Sequence, residues 1–251
     1  TRFIQDRTVI EDTESTVDLL ARGWRLHNYP ERLAYSETPP DFGSLLIQRR
    51  RWANGGLIIL PKLLRLLVRK SQSHGQFLRG FLMSHYLVSL AVVNVGLLLV
   101  LGFPFEDVVE TKWLPLTALP YYGMYAWDLK LTGYSLTDLL RVYSMNLVLI
   151  PVNLAGVLKS LRQMITGQKT PFGRTPKVQG HTRVPGVYLI ATYGILGQWV
   201  LGALMDVSEN RPMHALVIVI NIGFLFYGIV TFIGIRSSIE DLRAGRMLRL
   251  S

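Results

Sequence analysis

Two acidic residues, Glu11 and Asp12, stand side by side ahead of a stretch with helical spacing, and further on Gln48, Arg51 and Trp52 stand at i, i+3 and i+4. That second spacing puts an amide, a guanidinium and an indole on one helical face. A guanidinium can grip two phosphate oxygens at once, an amide can hydrogen-bond a polar ligand, and an indole offers a flat apolar surface. The same face suits a plainer task, an amphipathic helix whose Trp anchors in the headgroup belt and whose Arg residues meet lipid. For Arg49 and Arg50 the plainer task is the reading adopted. Asp12 has a plainer task as well, since it can cap the helix running through Val17, Leu19 and Leu20 to Gly23. A third group, Phe172, Thr175 and Lys177, carries a hydroxyl and an ammonium in a basic loop that lipid charge alone could hold. His27, His74, His85, His181 and His214 have no metal-ligand spacing, and the chain has no cysteine to supply a thiolate or a disulfide.

Those groups need elements to hold them. The chain has 251 residues and a formal net charge of +10, with 49 % hydrophobic and 18 % charged residues. A soluble domain carries about a quarter charged residues, so the deficit points to lipid as part of the solvent and excludes disorder. Residues 80–105, 184–205 and 212–235 contain no Asp, Glu, Lys or Arg. About 20 apolar residues cross a bilayer core, so each stretch predicts a spanning helix, the last two as a hairpin. A further crossing falls either on 113–127, interrupted by Pro115 and Pro120, or on 142–158, interrupted by Pro151. Net charge is −2 over residues 106–112 and −1 over 206–211, against +5 over 1–79, +6 over 128–183 and +2 after 235. Lys and Arg gather on the cytoplasmic side, so both ends and the loop near 159–183 are expected there, in a multi-pass protein of the inner or plasma membrane. Basic residues beside spans make membrane lipids, and no nucleic acid, the expected partner of this positive charge. Residues 57–68 suit a helix lying in the membrane plane.

Residues 1–56 differ, with charges of both signs and loop punctuation. After the helix that Asp12 can cap, residues 24–29 alternate like a short strand; Pro39 and Pro40 mark a turn, and Asp41 can cap a second helix ending at Gly55 and Gly56. So short a segment cannot build its own core, and it is expected to be the tail end of a larger α/β domain. With Thr1 first and no leader-like segment, the chain is expected to be a fragment.

Glu11-Asp12 ahead of the Gly23-Trp24 turn, Glu37 with Pro39, Gln48-Arg49-Arg50-Arg51-Trp52 and Phe172-Gly173-Arg174-Thr175-Pro176-Lys177 together resemble the second half of a membrane-bound family 2 glycosyltransferase, cellulose-synthase-like in kind. In that family a Thr-Glu-Asp motif supplies the base, a Gln-x-x-Arg-Trp motif follows on a helix, and a Phe-x-Val-Thr-x-Lys gating loop precedes the last spans. Ile10 stands where the motif has threonine, and Arg174 where the loop has valine. The resemblance implies catalytic roles for Asp12 and Glu11, nucleotide-sugar and acceptor binding by Gln48, Arg51 and Trp52, and a gating loop carrying Phe172, Thr175 and Lys177. It implies the C-terminal part of a GT-A-like α/β domain in residues 1–56, an interfacial amphipathic helix and linker in 57–79, and two transmembrane helices in 80–130. An interfacial helix and gating loop follow in 131–183, a transmembrane hairpin in 184–235 and a cytoplasmic tail in 236–251. The implied fold class is an α-helical integral membrane protein of about four spans.

The implied activity is processive, inverting polymerisation of a β-linked glycan from a nucleotide sugar, UDP-linked, with the growing chain passed through the protein's own spans. Accessory secretion subunits are compatible partners. The family holds a divalent metal, Mg or Mn, through an upstream Asp-x-Asp motif that this sequence lacks. Its ligands are therefore expected upstream, with no metal site in this piece, which alone is expected to be inactive. Two alternatives stay open: a non-processive lipid-linked or oligosaccharide transferase of the same superfamily, and a non-enzymatic four-span scaffold or channel.

Overall fold

The computed structural model describes residues 10–27, 37–68, 74–103, 116, 119–168, 175 and 180–250. Among the described residues every regular element is helical. Residues 24–27 take no strand conformation, and the rest of the strand expected over 24–29 lies outside the described residues. A strand needs a neighbour to exchange ladder hydrogen bonds with, and no described segment supplies one. The chain divides into two compact units, residues 1–94 with 152–182 and residues 95–151 with 183–251.

In the first unit α1 (Glu11–Ala21) packs on α2 (Phe42–Leu67). Asp12 is not the cap of α1. The cap position is Ile10, whose carbonyl accepts from the Glu14 N–H at 3.1 Å, and Asp12 lies inside the first turn with Glu11 and Glu14, where negative charge meets the positive end of the helix dipole. Burial fixes this start, because Ile10 joins Val17, Ile59, Leu63 and Leu87 in the unit's apolar core. For α2 the expected cap is the observed one, with Asp41 Oδ1 accepting from the Ser44 N–H at 2.7 Å. The expected end is not. α2 continues for 26 residues through Gly55, Gly56 and Pro61, so the segment expected to lie in the membrane plane is the second half of the same helix. The two glycines serve close packing instead of termination: a Cβ on Gly55 would stand 2.3 Å from Ile10 Cγ1, and one on Gly56 would stand 3.1 Å from the Leu87 carbonyl oxygen. Lys62 ties the seam shut, its Nζ 2.5 Å from Asp18 Oδ1 and 3.4 Å from Glu14 Oε1.

The second unit contains α4 (Leu119–Leu131), α5 (Thr137–Val148), α7 (Gly186–Ser208), α8 (Pro212–Gly228), a π turn over Ile229–Ile233, and α9 (Ile235–Leu250). Helix α7, and α8 with its π turn, are each long and apolar enough to cross a membrane, which makes this a membrane protein with the hairpin expected from the sequence. The number of such spans is two, or up to four if each of two bent pairs is one span. One pair is the two segments of α3 (His74–Gly102) and the other is α5 with α6 (Ile150–Thr166). Helix α4, at 13 residues, rises about 20 Å and cannot cross alone. The hairpin turn is held by charge. Asp206 Oδ1 meets Arg211 Nε at 2.9 Å and its Oδ2 meets His214 Nδ1 at 2.5 Å, while His214 Nε2 faces the Val100 carbonyl at 3.1 Å. A carbonyl only accepts, so the Nε2–H donates to it. Polar residues in apolar stretches bond between helices, Asn153 to Asn94 at 3.4 Å in the first unit and Tyr143 to Asn221 in the second.

Candidate active site

The first unit assembles two of the three motif groups and the end of the loop that carries the third. Its frame is α2, whose unbroken helix keeps Gln48, Arg51 and Trp52 on one face. Gly55 is one turn beyond Arg51 along the helix, and the Ile10 side chain packs directly on Gly55, so α1 starts beside that turn of α2. Asp12 is exposed, and its carboxylate accepts from the Thr13 N–H at 2.8 Å, which leaves the second oxygen to the solvent side. Glu11 is half-buried. A carboxylate in that condition can take a proton from a hydroxyl brought up to it.

Trp52 is 38 % exposed, a large ring left in the open, with the Arg49 guanidinium 4.8 Å above its centre. The contact is a cation–π pair at i, i+3. It gives Arg49 a task the sequence reading did not assign, although the spacing carried the signal. Asn54, three residues past Arg51, was missed too. It is buried, and neither Oδ1 nor Nδ2 has a hydrogen-bond partner among the described residues. A buried amide left so costs about 1–3 kcal/mol per group, which suits a position where a polar molecule arrives.

The loop that carries the third group ends against the start of α2. Asp41 Oδ2 accepts from the Thr182 N–H at 2.6 Å, and the Ser44 and Thr182 hydroxyls are 2.8 Å apart. Gly43 makes the approach possible, since a Cβ there would fall 1.8 Å from the Thr182 carbonyl oxygen. Burial pushes the Asp41 carboxyl up, but the Thr182 and Ser44 N–H groups and hydroxyls outweigh it and hold the group below its ordinary value. Thr175 is buried, its hydroxyl without a partner among the described residues. Phe172 and Lys177 lie outside the described residues.

Residues 1–130 match the family model described as glycosyl transferase family group 2. The chain belongs to that family. No curated protein and no solved structure matches it. Membership of this glycosyltransferase family makes the protein a transferase whose partners are a nucleotide sugar and an acceptor, and the matched stretch contains Glu11, Asp12, Gln48, Arg51 and Trp52. The metal implied by the resemblance finds no donor set here: no three His, Cys, Asp or Glu residues among the described ones converge on a point. Glu11 and Asp12 do not fit a metal by themselves, and no step of the chemistry below passes through one.

Proposed function

We propose that this glycosyltransferase is the membrane half of a processive, inverting enzyme that polymerises a β-linked glycan from a UDP-sugar. The single observation that carries this reading is the convergence on α2: the acidic pair enters beside Gly55, one turn from Arg51 and Trp52, and the loop ahead of α7 is tied to Asp41 at the helix start. In an inverting transfer the acceptor hydroxyl attacks the anomeric carbon as the nucleotide diphosphate leaves. Asp12 takes the hydroxyl proton, with Glu11 beside it. Arg51 meets the charge on the departing phosphates, Gln48 hydrogen-bonds the nucleotide sugar, and Trp52 offers its ring to the acceptor. Phe172, Thr175 and Lys177 belong to the loop that closes over the nucleotide, and its tie at Thr182 gives that closure a fixed hinge point. A divalent metal, Mg or Mn, would supply further positive charge to the departing diphosphate, and none of the residues named above is assigned to hold it.

The membrane half then has a task beyond anchoring, the passage of the growing glycan through its spans, with both ends and the 159–183 segment in the cytoplasm of a cell bounded by this membrane. Asp12→Asn in the full-length enzyme is the direct test. Amide for carboxylate removes the base and leaves α1 packed, because Asp12 is exposed and does not cap the helix. Polymer formation should fall by about 10²–10⁴-fold with nucleotide affinity unchanged. Activity within threefold of wild type would remove Asp12 from the mechanism and assign the base to another residue.

A further inference from the structure

Within the second unit an open concavity of 490 Å³ lies between α5 and α8. That is inside the range of about 300–1,000 Å³ seen for small-molecule sites. Leu140, Ile220, Phe224 and Tyr227 make its walls, and a Cβ placed on Gly223 would meet nothing within 4 Å, so the floor is open. Polar atoms come from Thr137 and Arg141. The Arg141 side chain is 64 % exposed; its Nη1 is 3.2 Å from Asp138 Oδ1, and the Tyr227 hydroxyl lies beside it. Asp138 is itself engaged by the Ser135 N–H at 2.9 Å, so it orients the guanidinium more than it consumes it. Of the five donors on an arginine, most remain for another acceptor.

Helix α8 belongs to a span, so apolar walls open to its outside face meet lipid chains before they meet water. Tyr227 is six residues short of the end of the apolar run at Ile233, about 9 Å along the axis, so Arg141 sits within reach of a headgroup layer. A guanidinium exposed at that boundary attracts the anions of the headgroup layer, and phosphate matches its fork. The charge pattern puts the Ile233 end on the cytoplasmic side, where anionic lipid is concentrated. We propose that this groove binds one anionic glycerophospholipid, with its phosphate on Arg141 and Thr137 and an acyl chain laid over Gly223 between Ile220 and Phe224. The site needs only the membrane placement of α8 and is independent of the transferase chemistry.

Native mass spectrometry of the full-length protein in mild detergent, with added phosphatidylglycerol or phosphatidylcholine, tests it. One phosphatidylglycerol should stay bound through activation that strips phosphatidylcholine. Arg141→Gln should cut that preference about fivefold. Gly223→Leu, which fills open space without a backbone clash, should abolish retention, and the melting temperature of each variant in detergent reports whether it is folded. Equal retention of the two lipids by wild type, or unchanged retention in Gly223→Leu, overturns the proposal. Displacement of the bound lipid by a soluble β-linked oligosaccharide also overturns it, by making the groove a glycan site.

Discussion

In the first unit Lys62 closes the α1–α2 seam with 30 % of its side chain exposed, against a Glu14 that is buried and an Asp18 that is not. In the second, Asp206 and His214 are both 2 % exposed and Arg211 completes the cluster across the turn between two spanning helices. Both are charge clusters that fasten one helix to the next, but water reaches one of them and hardly touches the other. The accessible pair of the first cluster, Lys62 with Asp18, gains little, because solvent already satisfies both partners. A buried pair is a liability when cut, since the partners left behind have nowhere to go. Asp206→Ala should therefore destabilise the protein by about 3–5 kcal/mol, and Lys62→Met by about 1 kcal/mol, measured by chemical unfolding of the full-length protein in detergent. Equal losses from the two variants would mean that the seams do not differ in solvent access. High salt sharpens the contrast, weakening the Lys62 seam and leaving the Asp206 cluster nearly unmoved.

The same contrast separates charges that hold the first unit together from those left for a substrate. Glu14 and Asp41 are engaged in the fold, whereas Asp12 and Trp52 stand open on the elements those two groups fix. If Arg51 meets phosphate, Arg51→Ala should raise the nucleotide dissociation constant by tenfold or more, the loss of a charged hydrogen bond of about 1.5–3 kcal/mol. Trp52→Ala removes no charge and should lower polymer formed per mole of inserted enzyme while nucleotide affinity holds. A Trp that only anchors in the headgroup belt makes the opposite forecast, less protein in the membrane and unchanged specific activity.

How much of this was legible beforehand varies with the range of the interaction. Local signals carried well: the Asp41 cap, the shared face of Gln48, Arg51 and Trp52, and the uncharged stretches that became α3, α7 and α8 were all written in spacings of a few residues. The end of α2 was misread because Gly55-Gly56 is an ordinary stop signal, and only the arrival of Ile10 and Leu87 from elsewhere in the chain explains glycine in mid-helix. Asp12 as a cap failed for a related reason, since a buried Ile10 sets the start of α1. The histidines, which show no metal-ligand spacing, include His214, whose carboxylate partner, eight residues away, lies across a helix turn that spacing alone does not reveal. Nothing in sequence could pair Asp41 with Thr182, 141 positions on.

That longest tie yields the smallest effect and the one most easily separated from the rest by pH. The Asp41 carboxylate accepts from two backbone N–H groups on opposite sides, Ser44 at 2.7 Å and Thr182 at 2.6 Å, and they hold its acidity below the ordinary carboxylate value in spite of burial. A depressed folded-state value means the ionised form is favoured by the fold, so the stabilisation is fully present above the unfolded value of about 3.9 and is lost as pH falls through the lower folded one. Asp41→Asn keeps an acceptor for the cap, because Asn caps about as well as Asp, but turns an amide toward one of the two N–H donors. At neutral pH the variant should lose about 1 kcal/mol of local protection at Thr182 with the cap at Ser44 nearly intact. Hydrogen exchange at those two amides, normalised for intrinsic rates, reads the difference. In wild type the protection at Thr182 should fall away on acidification below about pH 4, and in Asp41→Asn it should be lower and flat over the same interval. Parallel profiles in the two proteins would show that the loop end is held to α2 by the Ser44–Thr182 hydroxyl pair and by packing at Gly43, with the carboxylate serving only as a helix cap.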